Sequence, residues 1–238
     1  MNAIAKDKGV IKVFGKDNVR YEKEIKQNLG VVLDNIFLVK EWTLEEVEKA
    51  YKLFYDYWNS EKYYFYLDKF RLLPKMKVQD LSRGMGVKLL VAAALSHDAK
   101  LLLLDEPTSG LDPAARDELM TIFQEYIEDG TRSILFSTHV TTDLEKIADY
   151  ITCIHKGNIY YTGAKEELLD TYCIVKGGPS DYKRYESYII GLRKFATGFE
   201  GLVLRDNLDK IHSKIEVERP TIEDIIIFTS RGGRRHGR

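Results

Sequence analysis

Cysteine is nearly missing from this 238-residue chain and proline is scarce, with two of the first and five of the second. Cys153 and Cys173 suggest neither a disulfide framework nor a metal cage. Both lie among apolar neighbours, which suits buried thiols in a reducing compartment. A dominant charge sign is also missing: 36 Lys plus Arg stand against 37 Asp plus Glu. No global field therefore draws nucleic acid or anionic lipid. Long apolar runs are absent too, and stretches such as Leu89–Leu95 fall far short of the roughly 20 residues that span a bilayer. The opening MNAIAKDK has no apolar core of a secretory signal, carries no period and is expected to be irregular. Finally, GxxxxGK[ST], the glycine-rich loop whose backbone N–H groups cradle phosphates, occurs nowhere.

What remains is an ordinary globular composition, 44% hydrophobic and 31% charged, long enough for one large domain or a domain with an appendage. Val10–Phe14 and Leu29–Leu33 read as strands, with a turn at residues 15–18. Thr43 with Glu46 forms a capping box, followed by the helical stripe Leu44, Val47, Tyr51, Phe54, Tyr55 and Trp58. Aromatics continue through Tyr63–Tyr66, and Pro74 closes the segment. Ser82 opens another helix, Pro113 begins a third, and Gly130 ends it. Ser133–Ser137 reads as a buried strand, residues 143–150 as a short helix, and Ile151–His155 with Ile159–Thr162 as a hairpin. Beyond about Asp170, segments 173–176, 201–205 and 214–218 alternate like half-exposed strands, with a helical stretch expected near 182–195. A last helix starts at Pro220. The tail RGGRRHGR is basic and coreless, and reads as a disordered end.

The central stretch is Lys100–Pro107, KLLLLDEP. Four leucines ending in adjacent carboxylates read as a strand buried on both faces. It delivers Asp105 and Glu106 to the carboxyl end of an α/β sheet, where such sheets place their ligands. Around it lie Leu81-Ser82-Arg83-Gly84-Met85 upstream, then Ser109-Gly110-Leu111-Asp112 and Ser137-Thr138-His139 downstream.

In order and spacing these segments resemble the signature loop, Walker B strand, D-loop and switch histidine of ABC-type ATPases. The likeness covers roughly residues 9–162 and extends weakly through Pro220–Ile225, similar to a helix that closes many such subunits. It is nearest to the ATP-binding subunits of bacterial drug, bacteriocin or antibiotic-peptide exporters. The fold this implies is α/β: an incomplete P-loop NTPase sheet with a helical subdomain at about 36–97 and a small C-terminal α/β appendage. The domains then run 1–169 and 170–238. ATP and Mg²⁺ are the implied cofactors. A membrane-spanning permease and a second ATP-binding subunit, as a homodimer, are the implied partners, with no nucleic acid. The implied place is cytoplasmic, peripheral at the inner face of the cell membrane.

Phosphoryl transfer to water needs neutralised charge and a positioned nucleophile. Asp105 suits Mg²⁺, a hard ion that keeps its waters, and Glu106 suits the orientation or deprotonation of the attacking water. Ser82 and Gly84 sit at a helix start that favours an anion; the resemblance implies the γ-phosphate held by the opposite subunit. It also implies that His139 senses that phosphate and that Asp112 communicates across the dimer. Exposed members of the aromatic segments 51–58 and 63–66 would line a groove for a permease helix.

Arg83 and Met85 replace Gly and Gln of the commonest signature, a tolerable change since Ser82 and Gly84 carry the backbone approach. Two departures matter more. Asp34 occupies the position where the family usually carries a metal-linking Gln. Residues 10–15 resemble the segment that follows the P-loop helix, so the chain is expected to begin past that loop. Two functions follow: an ATPase subunit of a transporter, inactive alone without its P-loop, or a non-catalytic module that docks on a partner subunit or membrane protein. Soluble ABC ATPases of translation or repair fit less well, since the chain has neither tandem cassettes nor long coiled coils.

Overall fold

The computed structural model describes the chain apart from Met1, Ala3, Ile36 and residues 212–214 and 232–238. The basic tail from Gly232 onward, and the start of the expected 214–218 strand, lie outside the described residues. The chain divides into two compact units, residues 1–139 and 140–238.

In the first unit, β1 (Lys12–Val13) and β2 (Lys16–Asp17) form a short antiparallel hairpin. Phe14 and Gly15 turn it with φ of +53° and +75°. Next come α1 (Glu22–Gln27), β3 (Leu29–Val32), α2 (Leu44–Phe54), α3 (Ser60–Lys69), a 3₁₀ turn at Val78–Asp80 and α4 (Arg83–Leu95). After these come β4 (Leu101–Asp105), α5 (Pro113–Ile127) and β5 (Ser133–Ser137). The α2 capping box is present in both directions, with Thr43 Oγ1 accepting from the Glu46 N–H and the Glu46 carboxylate accepting from the Thr43 N–H. The helix stops at Phe54, one turn short of the expected stripe. Trp58 instead donates its indole N–H to the buried Glu48 carboxylate at 2.9 Å, and Ser60 Oγ donates to the same oxygen at 2.5 Å. Two donors thus satisfy one buried charge and fix the α2–α3 corner.

β3, β4 and β5 form a parallel sheet in that order, with Leu29 opposite Leu101 and Asp105 opposite Ser137. Gly30 brings α4 onto β3: a Cβ there would stand 2.9 Å from the Ala94 carbonyl oxygen. Coverage of the sheet is uneven. Leu102 and Leu104 are buried, while Leu101 and Leu103 are only half-buried, so β4 is not enclosed on both faces as its sequence suggests. β5 departs further from the expected buried strand. It is the outer strand, and Leu135 is 66% exposed. Parallel strands normally require cover on both faces.

The second unit holds α6 (Thr141–Ile147), β6 (Tyr150–His155), β7 (Asn158–Ala164), α7 (Lys165–Thr171), β8 (Tyr172–Gly177) and α8 (Tyr182–Tyr185). It continues with β9 (Ile189–Lys194), β10 (Phe199–Leu204), β11 (Glu216–Glu218) and α9 (Ile222–Arg231). β6 and β7 are the expected hairpin, turned at Lys156-Gly157. β11-β8-β10-β9 is an antiparallel sheet. The helix expected over 182–195 shrinks to α8 because β9 is claimed by β10, Leu192 pairing with Gly201. The compact units divide thirty residues before the expected boundary at 169/170. The reason is packing: Ile151, Leu168 and Leu169 share one core with Ile174, Leu202 and the α9 residues Ile222, Ile225 and Phe228. Cys173 is buried and Cys153 half-buried, and burial raises both thiol pKa values.

Candidate functional site

Ser82, Gly84, Asp105, Glu106, Asp112 and His139 lie in the first unit, at the carboxyl ends of the parallel strands and the start of α4. The β4–β5 register sets Asp105 beside Ser137, whose hydroxyl donates to the Asp105 carboxylate at 2.5 Å. Immediately afterwards the chain turns sharply: Glu106 takes φ +50°, in the left-handed region that side chains other than glycine seldom adopt. Its N–H donates to the Ser137 carbonyl at 3.0 Å, anchoring the turn to β5.

The Glu106 carboxylate then meets the segment that follows β5. It accepts the His139 backbone N–H at 3.0 Å, lies 2.9 Å from His139 Nδ1, and receives the Thr138 hydroxyl at 3.4 Å. Glu106 is thereby oriented by fixed donors, with its side chain 26% exposed, while the His139 ring is 72% exposed. The structure brings Asp105, Glu106 and His139 together as one group. Ser137 and Thr138, to which the sequence reading assigned no separate roles, are what hold them; the register opposite Asp105 is the signal that points to Ser137.

A second group forms at the start of α4. Ser82 is its N-cap, Oγ accepting the Met85 N–H at 3.3 Å, which leaves the hydroxyl proton available as a donor. Gly84 lies against Leu111: a Cβ there would come within 2.9 Å of Leu111 Cδ2. Asp112 caps α5, accepting from the Ala114 and Ala115 N–H groups at 3.0 Å each. Its carboxyl pKa is lowered, chiefly by the Ala115 N–H. Asp34, exposed after β3, accepts a hydrogen bond from Arg83, and Arg83 also reaches Ser109 Oγ at 3.4 Å. The two groups share the loop after β4, since the Ser109 N–H donates to the Glu106 carbonyl at 3.1 Å.

Comparison with known proteins agrees with this layout. The chain is 33% identical over 172 residues to the ABC transporter ATP-binding protein NatA of Bacillus subtilis, covering 68% of each chain. It belongs to the ATP-binding subunits of ABC transporters. A family profile described as "AAA domain, putative AbiEii toxin, Type IV TA system" also matches residues 11–141. Other relatives of this ABC subunit align over less. An ATP-binding protein of Mycoplasma pneumoniae is 36% identical over 46% of this chain, and the chain spans only 34% of that relative. The bacitracin transport ATP-binding protein BcrA of Enterococcus faecalis is 40% identical over 36% of this chain and 28% of its own length. Among solved structures, an ATP-binding subunit of an ABC transporter superposes with a TM-score of 0.62 at 24% identity, covering 68% of this chain and 69% of that one. A dimeric post-hydrolysis state of the ATP-binding cassette MJ0796, bound to ADP and Pi, gives 0.58 at 19% identity over 66% and 74%. Those two likenesses concern the fold. No helix among the described residues is long and apolar enough to cross a membrane.

Proposed function

We propose that this chain is the ATP-binding subunit of an exporter, coupling ATP binding and hydrolysis to transport through a separate membrane subunit. The observation that carries the reading is the Glu106 carboxylate, placed by a strained turn and oriented by His139 and Thr138. Such a carboxylate is suited to take the proton of an attacking water. Asp105 fits the position of a ligand for Mg²⁺: it offers one hard carboxylate beside a hydroxyl donor. Among the described residues no cluster of three His, Cys, Asp or Glu makes a ready metal cage. That suits an ion held by one or two carboxylates, water and nucleotide phosphates. The ion, when bound, neutralises charge on those phosphates.

Ser82 and Gly84 would face the γ-phosphate of a nucleotide held mainly by a second ATP-binding subunit, with Asp112 at that junction. A homodimer at the inner face of the cell membrane, with a permease and without nucleic acid, completes the reading. A cavity of about 720 Å³ supports the permease contact: Leu38, Trp42, Tyr51 and Tyr55 line it together with Arg20 and Lys23. The likeness to the bacitracin transport subunit favours a drug or antibiotic-peptide exporter as the type.

The absence of GxxxxGK[ST] favours a second reading, a module that docks on a partner without hydrolysing ATP. Calorimetry of the chain with MgATP measures what the loop's absence costs. A phosphate-cradling loop contributes several charge-assisted hydrogen bonds of about 1.5–3 kcal/mol each. Without three of them, affinity falls by at least ~4 kcal/mol, roughly a thousandfold. The chain alone is expected to show no saturation at low micromolar MgATP. Micromolar binding would mean that its other loops supply the cradle.

A further inference from the structure

Asp34 and Arg83, two positions that depart from the pattern the chain resembles, are 49 residues apart in sequence and touch each other. We propose that Arg83 is a positioning residue which, with Asp34, ties the first turn of α4 to the loops after β3 and β4. The proposal rests on the nucleotide-binding reading for its purpose but not for its test.

Arg83 is the first residue of α4, where the positive end of the helix dipole disfavours a cation, and no acidic residue lies in that turn. Asp34 supplies the missing negative charge from outside the helix. The same nitrogen, Nη2, also reaches Ser109 Oγ at 3.4 Å, and the guanidinium lies against Gly110. From Ser109 the contacts continue through its N–H to the Glu106 carbonyl, and from the Glu106 side chain to His139. The sequence Asp34, Arg83, Ser109, Glu106, His139 is thus an unbroken chain of contacts linking the start of α4 to the proposed hydrolytic carboxylate. A glycine at position 83 would have no such reach. The pair's side chains are 51% and 42% exposed, so solvent screens it and it adds little to global stability. Its effect is local: it sets where Ser82 and Gly84 stand relative to Glu106. This gives Asp34 a task through Arg83 in place of one on the metal.

The test is amide hydrogen exchange at residues 83–86 and 108–111 in the full chain, together with urea unfolding. Asp34→Asn and Arg83→Gln are each expected to speed exchange in both segments by about threefold or more, with the urea midpoint nearly unchanged. The charge-swapped pair Asp34→Arg/Arg83→Asp is expected to restore protection. Arg83→Lys keeps the charge but loses the planar guanidinium that lies against Gly110, so it should hold 83–86 and loosen 108–111. Raising NaCl should weaken protection in the wild type and not in Arg83→Gln. Unchanged exchange in the single variants, or additive effects with no recovery in the swapped pair, overturns the proposal. None of these readouts needs nucleotide, so a failure to bind MgATP in any context would count against the functional reading alone.

Discussion

Leu135 offers the sharpest test of how the first unit behaves in solution. It sits at the middle of β5, an outer strand whose sequence Ser-Ile-Leu-Phe-Ser carries no charge, no proline and no glycine, and it is 66% exposed. Uncharged apolar edges invite pairing with another chain. Full burial of a leucine is worth ~1.5–3 kcal/mol, so covering what is exposed here recovers roughly 1–2 kcal/mol. A twofold contact covers two copies, ~2–4 kcal/mol, or roughly 30- to 1000-fold in dissociation constant. Leu135→Lys should cost the isolated fold no more than about 0.5 kcal/mol, because the site is exposed. Light scattering coupled to size exclusion, run over a concentration series, should show a dimer or larger species for the wild type and a monomer for Leu135→Lys. A wild type that stays monomeric throughout, or a variant that associates equally well, would refute the reasoning.

Other outcomes follow from single contacts. Gly30→Val should destabilise the chain by at least ~2 kcal/mol in urea unfolding, because the new side chain meets the Ala94 carbonyl oxygen and Leu102; a change below about 0.5 kcal/mol would show that α4 can move away. His97 is 3% exposed, stacks on Tyr55 with centroids 3.7 Å apart, and has Nε2 2.9 Å from the Leu29 carbonyl oxygen. Burial lowers its pKa below the usual imidazole value, outweighing the two backbone carbonyls that raise it. The unfolded chain then binds the proton more readily, so this contribution is intact above about pH 6.5 and declines as pH falls toward the depressed folded value. Urea midpoints from pH 7.5 down to 5 should fall less steeply for His97→Gln than for the wild type; parallel curves would remove His97 from that role.

Local chemistry was the most legible part of this chain. The Thr43–Glu46 box, the helix start at Ser82, Pro113 at a helix start and the Lys156-Gly157 turn are each decided within four residues, and sequence shows them. The order of motifs likewise singles out Asp105, Glu106 and His139, which the fold gathers at the ends of β4 and β5. Contacts between distant segments were not legible. β9 looks helical in isolation and becomes a strand only because β10 offers it a ladder. The Asp34–Arg83 pair joins segments 49 residues apart, and no periodicity announces it. Exposure misled for a related reason. A run such as Leu101–Leu104 states that cover is wanted, while the number of neighbouring strands decides whether cover is there.

Glu106 is the residue on which the account turns. The direct measurement is steady-state ATP hydrolysis and MgATP binding by the chain with a GxxxxGK[ST] loop between a strand and a helix joined ahead of Gly9, with and without Glu106→Gln. The account predicts that the extended protein binds MgATP and turns it over. Glu106→Gln should keep binding and lose about 10²-fold or more in turnover, since the amide holds the shape but accepts no proton. Near-normal hydrolysis by the Glu106→Gln protein would contradict it.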